Sequence, residues 1–348
     1  MTRQIVRMAG DGIGPEIMTA AGRVLDAAAE KFRLDLTYQD CLFGGVAVDE
    51  TGTPFPAETE AACKAADAVL LGAVGGPQYD GLPPEQRPEK GLLAMRKSLG
   101  VYANIRPVRN IPALAGRTAF RDGHLDGVDI VVMRELTGGI YFGAKDRGDD
   151  WASDECRYTV PEIERIVRRA GDMARQRKGR VTSVDKSNVL MTSKLWREVT
   201  ARVMAEEYAD VKLDHMLVDA MAMKLISSPA DFDVIVTENM FGDILTDEAS
   251  MLAGSIGVLP SASMGDDGPG VFEPIHGSAP DIAGEGKANP IGMIASVAMM
   301  LETGLGEAEA AAAINAAIDG AIDAGDVTGD LGGTLSTDEA ADAIARRV

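Results

Sequence analysis

The sequence predicts an α/β fold on three observations: the chain's length, an alternation of strand-like and helix-like segments, and apolar runs of the kind buried parallel strands require. At 348 residues it exceeds the usual size of one hydrophobic core, so two domains or one large α/β unit are expected. The run RQIVRMA reads as the first strand. A helix follows from near Pro15, with Ile17, Ala21, Val24, Leu25 and Ala28 at helical spacing. LDLTYQD is strand-like, PAETEAACKAAD helix-like, and AVLLGAVGG a buried strand ending in glycines. GLLAMRKSLG is a short helix stopped by Gly100, and YANIRPV and VDIVVMRE are strands.

The middle of the chain changes character. GGIYFGAKDRGDDWASDECRYTV places two short β-prone runs around a charged turn and reads as a protruding hairpin arm. The helix PEIERIVRRAGDMARQRKG, the strand RVTSVDK and the helix SKLWREVTARVMAEEYAD follow it. After FDVIVTENM comes the helix GDILTDEASMLAG. The last third is loop-rich, then helical and alanine-rich, and no repeat period is evident.

Composition narrows the function classes. Apolar residues make up 46% of the chain, as expected of a well-packed globular protein. Lys and Arg total 34 against 54 Asp and Glu, a net charge of −20, which argues against nucleic acid or an anionic membrane as partner. The 3 cysteines and 3 histidines are scattered, so neither a disulfide framework nor a thiolate or multi-histidine zinc site is expected. The opening MTRQIVRMAG has no signal-peptide core, and the apolar stretch IGMIASVAMML is too short to span a bilayer. A cytoplasmic location is expected.

The stretch MAGDGIGPE imitates a dinucleotide-binding turn. Gly10 and Gly12 fit a Gly-x-Gly-x-x-Gly pattern, and Asp40 would pass for its ribose acid, but the third glycine position holds Pro15. Pro15 and Glu16 read instead as a helix start, with a preset first turn and an acid facing the positive end of the dipole.

Several side chains are candidates for chemistry. Asp243 and Asp247 stand four apart on one helix face and would repel unless neutralised. A divalent cation would do this, and oxygen donors suit Mg2+ or Mn2+. A solvated acidic face is the other reading. Asp219, in the apolar stretch MLVDAMAMKL, is a third acid whose burial would be costly if it were unpaired. Arg96, Arg106 and Arg134 end apolar elements and would suit a substrate with two carboxylates, or would each pair with a local acid. Lys186 and Tyr141 are the proton-transfer candidates, although a tyrosine in a β arm also serves packing. The long loop FEPIHGSAPDIAGEGKANP, residues 272–290, mixes His276, Asp281 and Asn289 with small residues and is a candidate nucleotide loop.

Together these stretches resemble the isocitrate/isopropylmalate dehydrogenase family of β-decarboxylating dehydrogenases. The resemblance runs through GDGIGPE, DAVLLGAVGGP, GLLAMRKSLGVYANIRPV, RELTGGIYFG, VDKSNVL, VDAMAM, NMFGDILTDEASML, LPSAS and EPIHGSAPDIAGEGKANP. It implies a two-domain α/β fold with a shared mixed sheet, not a Rossmann fold. Residues 1–101 and 254–348 would form the first domain and 102–253 the second, with the arm pairing in a homodimer. It implies NAD- and divalent-metal-dependent oxidative decarboxylation of 3-isopropylmalate.

The site roles below are likewise implied by the resemblance. Arg96, Arg106 and Arg134 would bind the malate carboxylates. Asp219, Asp243 and Asp247 would hold Mg2+ or Mn2+, with Asp219 also beside the substrate. Lys186 would be the base on the 2-hydroxyl and Tyr141 the acid, with the lysine and one aspartate coming from the neighbouring subunit. Ile13, Glu89, His276, Gly277, Ser278, Ala279, Asp281 and Asn289 would contact NAD. Leu92 and Leu93, next to Glu89, would meet the isopropyl group. Asp281 followed by Ile282 disfavours the 2′-phosphate of NADP. MAGDG, GAKDRG and NPIGMIAS depart from the family's common pattern and touch no proposed catalytic residue. A D-malate- or tartrate-type dehydrogenase is the near alternative, and a Mg2+-dependent phosphoryl-transfer enzyme the distant one.

Overall fold

The computed structural model describes residues 2–348. Its strands are β1 (Arg3–Gly10), β2 (Leu36–Asp40), β3 (Ala68–Ala73), β4 (Ala103–Arg109), β5 (Asp129–Glu135), β6 (Lys145–Arg147), β7 (Ala152–Asp154), β8 (Arg180–Asp185), β9 (Lys212–Leu217), β10 (Val234–Thr237), β11 (Pro260–Met264) and β12 (Gly270–Pro274). Its α-helices are α1 (Gly14–Phe32), α2 (Gly45–Thr51), α3 (Ala57–Ala65), α4 (Pro88–Leu99), α5 (Val160–Arg175), α6 (Met191–Glu207), α7 (Val218–Ser227), α8 (Asn239–Ser250), α9 (Ile291–Met299), α10 (Ala308–Ala324) and α11 (Thr337–Ala345). They fall into two compact units. The first runs through Val101, resumes at Ile111–Arg117 and closes with Gly254–Val348; the second holds Tyr102–Asn110 and Thr118–Ala253.

In the first unit the strand order is β2-β1-β3-β12-β11, parallel except where β11 runs antiparallel to β12. Every residue of β3 is buried, as expected of a parallel strand covered on both faces. α1 buries Ile17, Met18, Ala20, Ala21, Val24, Leu25 and Ala28 along one face, with a proline and Glu16 in its first turn. α9 is buried along Ile291–Ala298, which explains why that sequence is apolar all round.

In the second unit the order is β4-β5-β10-β8-β9, parallel except where β4 runs antiparallel to β5. Helix α5 starts with a capping box, Thr159 to Glu162. The short strands β6 and β7 form the expected antiparallel hairpin, and all their residues are exposed. Among the described residues, no helix is long and apolar enough to cross a membrane.

Candidate active site

Among the candidate residues of the second unit, Arg106, Arg134 and Tyr141 gather around Asp243 and Asp247 of α8. Arg134, near the end of β5, is buried and donates from Nη1 to Asp243 Oδ1. Tyr141 lies in the turn beyond β5 and donates its hydroxyl to Asp243 Oδ2 at 3.0 Å. The Arg134 guanidinium carbon lies 5.8 Å from the centre of the Tyr141 ring. Arg106 on β4 donates to Asn104 at 2.8 Å and to Thr246 at 2.7 Å, and its Nη1 stands 3.5 Å from Asp247 Oδ1. The repulsion expected between Asp243 and Asp247 is thus offset by a guanidinium at each carboxylate. Both acids still present surface, with side chains 37% and 67% exposed.

Electrostatics sorts these groups. Burial, then the neighbouring Asp243 carboxylate, raises the Tyr141 phenol above its usual value, so it keeps its proton at neutral pH. Burial raises the Asp247 carboxyl, with Arg106 opposing and Asp243 reinforcing the shift.

Lys186, just beyond β8, donates to Asp219 Oδ1. The cost of an unpaired buried Asp219 does not arise, since its side chain is 58% exposed and paired with Lys186. Asp219 sits in the first turn of α7, and the Lys186 hydrogen bond holds its carboxyl below the usual value. The apolar character of its segment has another origin. α7 buries Met221 and Leu225 while leaving Met223 and Ile226 exposed. Among the described residues, no three His, Cys, Asp or Glu side chains gather as a metal site within one chain. The three aspartates therefore do not form a single cluster in one chain.

In the first unit, Glu89, Leu92, Leu93 and Arg96 lie at i, i+3, i+4 and i+7 on α4 and so share one face. Leu92 also packs against the unit's core. Arg96 is buried and donates to Glu273 on β12 at 3.3 Å. The expected loop 272–290 begins as strand, its first three residues closing β12, and the remainder lies against the first glycine loop: the Ile13 N–H donates to the Ser278 carbonyl at 2.8 Å. Gly12 has φ +57, and a Cβ there would stand 2.0 Å from that same carbonyl oxygen. A Cβ on Gly10 would stand as close to the Ala73 carbonyl oxygen. These glycines are required by close packing, and the Gly286 N–H donates to Glu16 at 3.1 Å.

Within the second loop, Ala279 adopts φ +38. Asn289 donates to Asp330 at 2.9 Å. Ser278 is buried, whereas Gly277 and Asp281 are exposed. His276 Nδ1 lies 2.9 Å from the Gly277 carbonyl oxygen, and its Nε2 is buried without a partner. Burial lowers the imidazole's proton affinity, so the ring is neutral at neutral pH.

Sequence reading did not single out several polar residues that organise these groups. Asp11 accepts from the amides of Gly45 and Val46 at 2.8 Å and of Gly75 at 2.7 Å. Asn239 holds Arg134, and Glu273 pairs with Arg96. Asp11 and Asn239 each lie inside a motif already singled out, but as single polar residues in mixed sequence they carry no periodic or spacing signal.

Known proteins share this fold. The family profile for isocitrate/isopropylmalate dehydrogenase matches residues 4–344. The chain belongs to this family of α/β oxidoreductases that act on hydroxy acids. It is 56% identical over 319 residues to 3-isopropylmalate dehydrogenase of Bacillus licheniformis, covering 90% of this chain and 86% of that protein. It is 53% identical over 350 residues to 3-isopropylmalate dehydrogenase of Bacillus caldotenax, covering 99% and 95%. Among solved structures, isocitrate dehydrogenase from Methylococcus capsulatus superposes with a TM-score of 0.88 at 37% identity, covering 99% of both chains. A β-decarboxylating dehydrogenase from Thermococcus kodakarensis gives 0.83 at 37% identity, covering 99% and 96%. Membership in a dehydrogenase family removes the phosphoryl-transfer alternative.

Proposed function

We propose that this chain is an NAD-dependent enzyme that oxidises and decarboxylates 3-isopropylmalate to 4-methyl-2-oxopentanoate and carbon dioxide, the reaction of leucine biosynthesis. The observation that carries the substrate choice is the α4 face, where Leu92 and Leu93 lie one turn from Arg96. An apolar patch beside a carboxylate-binding cation suits an alkyl-substituted malate. A third carboxylate in place of the isopropyl group would be left unpaired there, a mismatch that discriminates strongly. Loss of methylenes from the alkyl group is penalised by only roughly 1–3 kcal/mol each, so D-malate is the weaker competitor that needs testing.

The donor chemistry suits the two groups the reaction needs. Asp243 and Asp247 offer hard oxygen donors on one helix face, and Asp219 of a neighbouring chain would complete the set for Mg2+ or Mn2+. Such a cation supplies Lewis-acid stabilisation of negative charge on substrate oxygens. NAD supplies the hydride acceptor. Its adenosine end suits the segment from His276 to Asn289, where the unpartnered His276 Nε2 is a free polar contact, with Ile13 and Glu89 as further contacts. The acid Asp281 opposes a 2′-phosphate.

The chain's own side chains then divide the work. Arg96, Arg106 and Arg134 bind and orient the substrate carboxylates. Lys186 takes the proton from the C2 hydroxyl as hydride leaves C2. Tyr141, held protonated by burial and Asp243, returns a proton to C3 after carbon dioxide departs. A homodimer with Lys186 and Asp219 reaching the partner's site would complete each centre. Cys41, Cys63 and Cys156 are unbridged, which suits the reducing cytoplasm.

The test is NADH formation with NAD, Mg2+ and a panel of 3-isopropylmalate, isocitrate, homoisocitrate, D-malate and tartrate. The highest kcat/KM is expected for 3-isopropylmalate. A preference for D-malate or tartrate would overturn the specificity assigned to Leu92 and Leu93.

A further inference from the structure

Asn239 opens α8 and is fully buried. A buried amide needs acceptors for two N–H groups and donors for its oxygen. Asn239 finds all of them, and none belongs to its own helix. Its Oδ1 accepts from Arg134 Nε at 3.0 Å and from Arg134 Nη2 at 2.7 Å. Its Nδ2 donates to the carbonyls of Leu136 at 3.1 Å and Gly138 at 3.0 Å. Helix capping does not explain these bonds, because the cap is Glu238, which accepts from the Phe241 N–H at 2.7 Å.

The two groups tied by this amide carry the chemistry. With Nε and Nη2 of Arg134 engaged, Nη1 meets Asp243. The carbonyls of Leu136 and Gly138 belong to the turn that delivers Tyr141, whose hydroxyl donates to the same Asp243. The surroundings are moulded to this arrangement. A Cβ on Gly242 would lie 2.6 Å from Arg134 Cγ. Gly139 has φ +72, and a Cβ there would lie 2.4 Å from the Tyr158 hydroxyl. That hydroxyl accepts from the Asn239 N–H at 3.0 Å and donates to Glu238 at 3.2 Å.

We infer that Asn239 is a positioning residue that locks the Arg134 guanidinium and the Tyr141 turn into one rigid piece, fixing the substrate-binding cation relative to the proton donor. The inference rests on the roles proposed above for Arg134 and Tyr141. A residue that served folding alone would lower the apparent kcat through the fraction of active enzyme and leave the substrate KM unchanged. Asn239 acts through two named partners, so its effects vanish when those partners are removed.

The experiment is steady-state kinetics on the holoenzyme for Asn239→Leu, Arg134→Gln, Tyr141→Phe and the two double variants that contain Asn239→Leu. Asn239→Leu is expected to raise the KM for 3-isopropylmalate on the order of 10–100-fold, the scale of hydrogen bonds to a charged group, and to lower kcat, with the KM for NAD unchanged. In the Arg134→Gln background it adds nothing further to the substrate KM, and in the Tyr141→Phe background nothing further to the loss of kcat. Additive effects in both cycles, or wild-type constants for Asn239→Leu, overturn the inference. If Arg134→Gln and Tyr141→Phe themselves leave KM and kcat unaltered, the underlying roles are wrong, an outcome distinct from failure of Asn239 alone. Should the leucine variant not fold, Asn239→Ala carries the same cycles.

Discussion

Lys186 and Asp219 form a half-exposed ion pair, of a kind worth only about 0–1 kcal/mol to stability. Their proposed weight is catalytic. Lys186→Ala is therefore expected to lower kcat by roughly 10²–10⁴-fold while shifting the unfolding midpoint little. Initial rates and thermal denaturation on the same preparation check this, and near wild-type turnover would remove Lys186 as the base. At this scale the candidates were legible as residue types, because an Arg ending an apolar strand or a pair of acids four apart is a physical anomaly. Their partners were not legible. Arg134 meets Asn239 and Asp243, which lie far along the chain, and no local pattern encodes that meeting. Nor was the partner of Asp219 legible: a helix start exposes the acid to solvent and to Lys186.

At the scale of elements, two loops of the first unit depend on backbone-to-backbone fit. Gly12→Ala would drive a Cβ into the Ser278 carbonyl at a left-handed position. It is expected to raise the KM for NAD on the order of tenfold or more, with the substrate KM little changed. Asp11 binds three amides from two segments while itself buried. Asp11→Ala leaves those donors unsatisfied and is expected to cost about 2–5 kcal/mol in denaturant unfolding. The strongly periodic elements α1, α5 and β3 were legible in the sequence. β9, β11 and β12 were not: KLDHML, PSASM and GVFEP are short and mix polar with apolar residues, so pairing with neighbouring strands decides their state more than propensity does. α11 was read only as part of a helical, alanine-rich end, although its capping box at Ser336 and Glu339 was a readable signal of where it starts.

At the scale of the whole molecule, α7 packs against α8, and large apolar side chains point outward from both helices and from the turn after α8: Met223, Ile226, Ile244 and Met251. Exposed groups of this kind mark an interaction surface and support the proposed homodimer. Under the proposed homodimer, in which each centre would borrow residues from the partner, Ile244→Glu is expected to halve the mass seen by light scattering and to abolish turnover. A dimeric, active variant would count against shared sites.

Stability should also depend on pH through His215 and His276, both of which burial shifts below the ordinary imidazole value of 6.5. Between that value and the lowered folded values, the unfolded chain takes up protons that the folded chain refuses. Stability therefore falls as pH drops through this window. Denaturant midpoints across it should flatten in the His276→Gln, His215→Asn double variant.

Under the proposed function, one active centre couples oxidation to decarboxylation of 3-isopropylmalate. The most direct measurement is simultaneous quantification of NADH and carbon dioxide from 3-isopropylmalate, with NAD present and with or without Mg2+ or Mn2+. Equimolar NADH and carbon dioxide are expected, both lost when the metal is chelated. NADH formed without carbon dioxide, or turnover indifferent to metal, would contradict the proposed function.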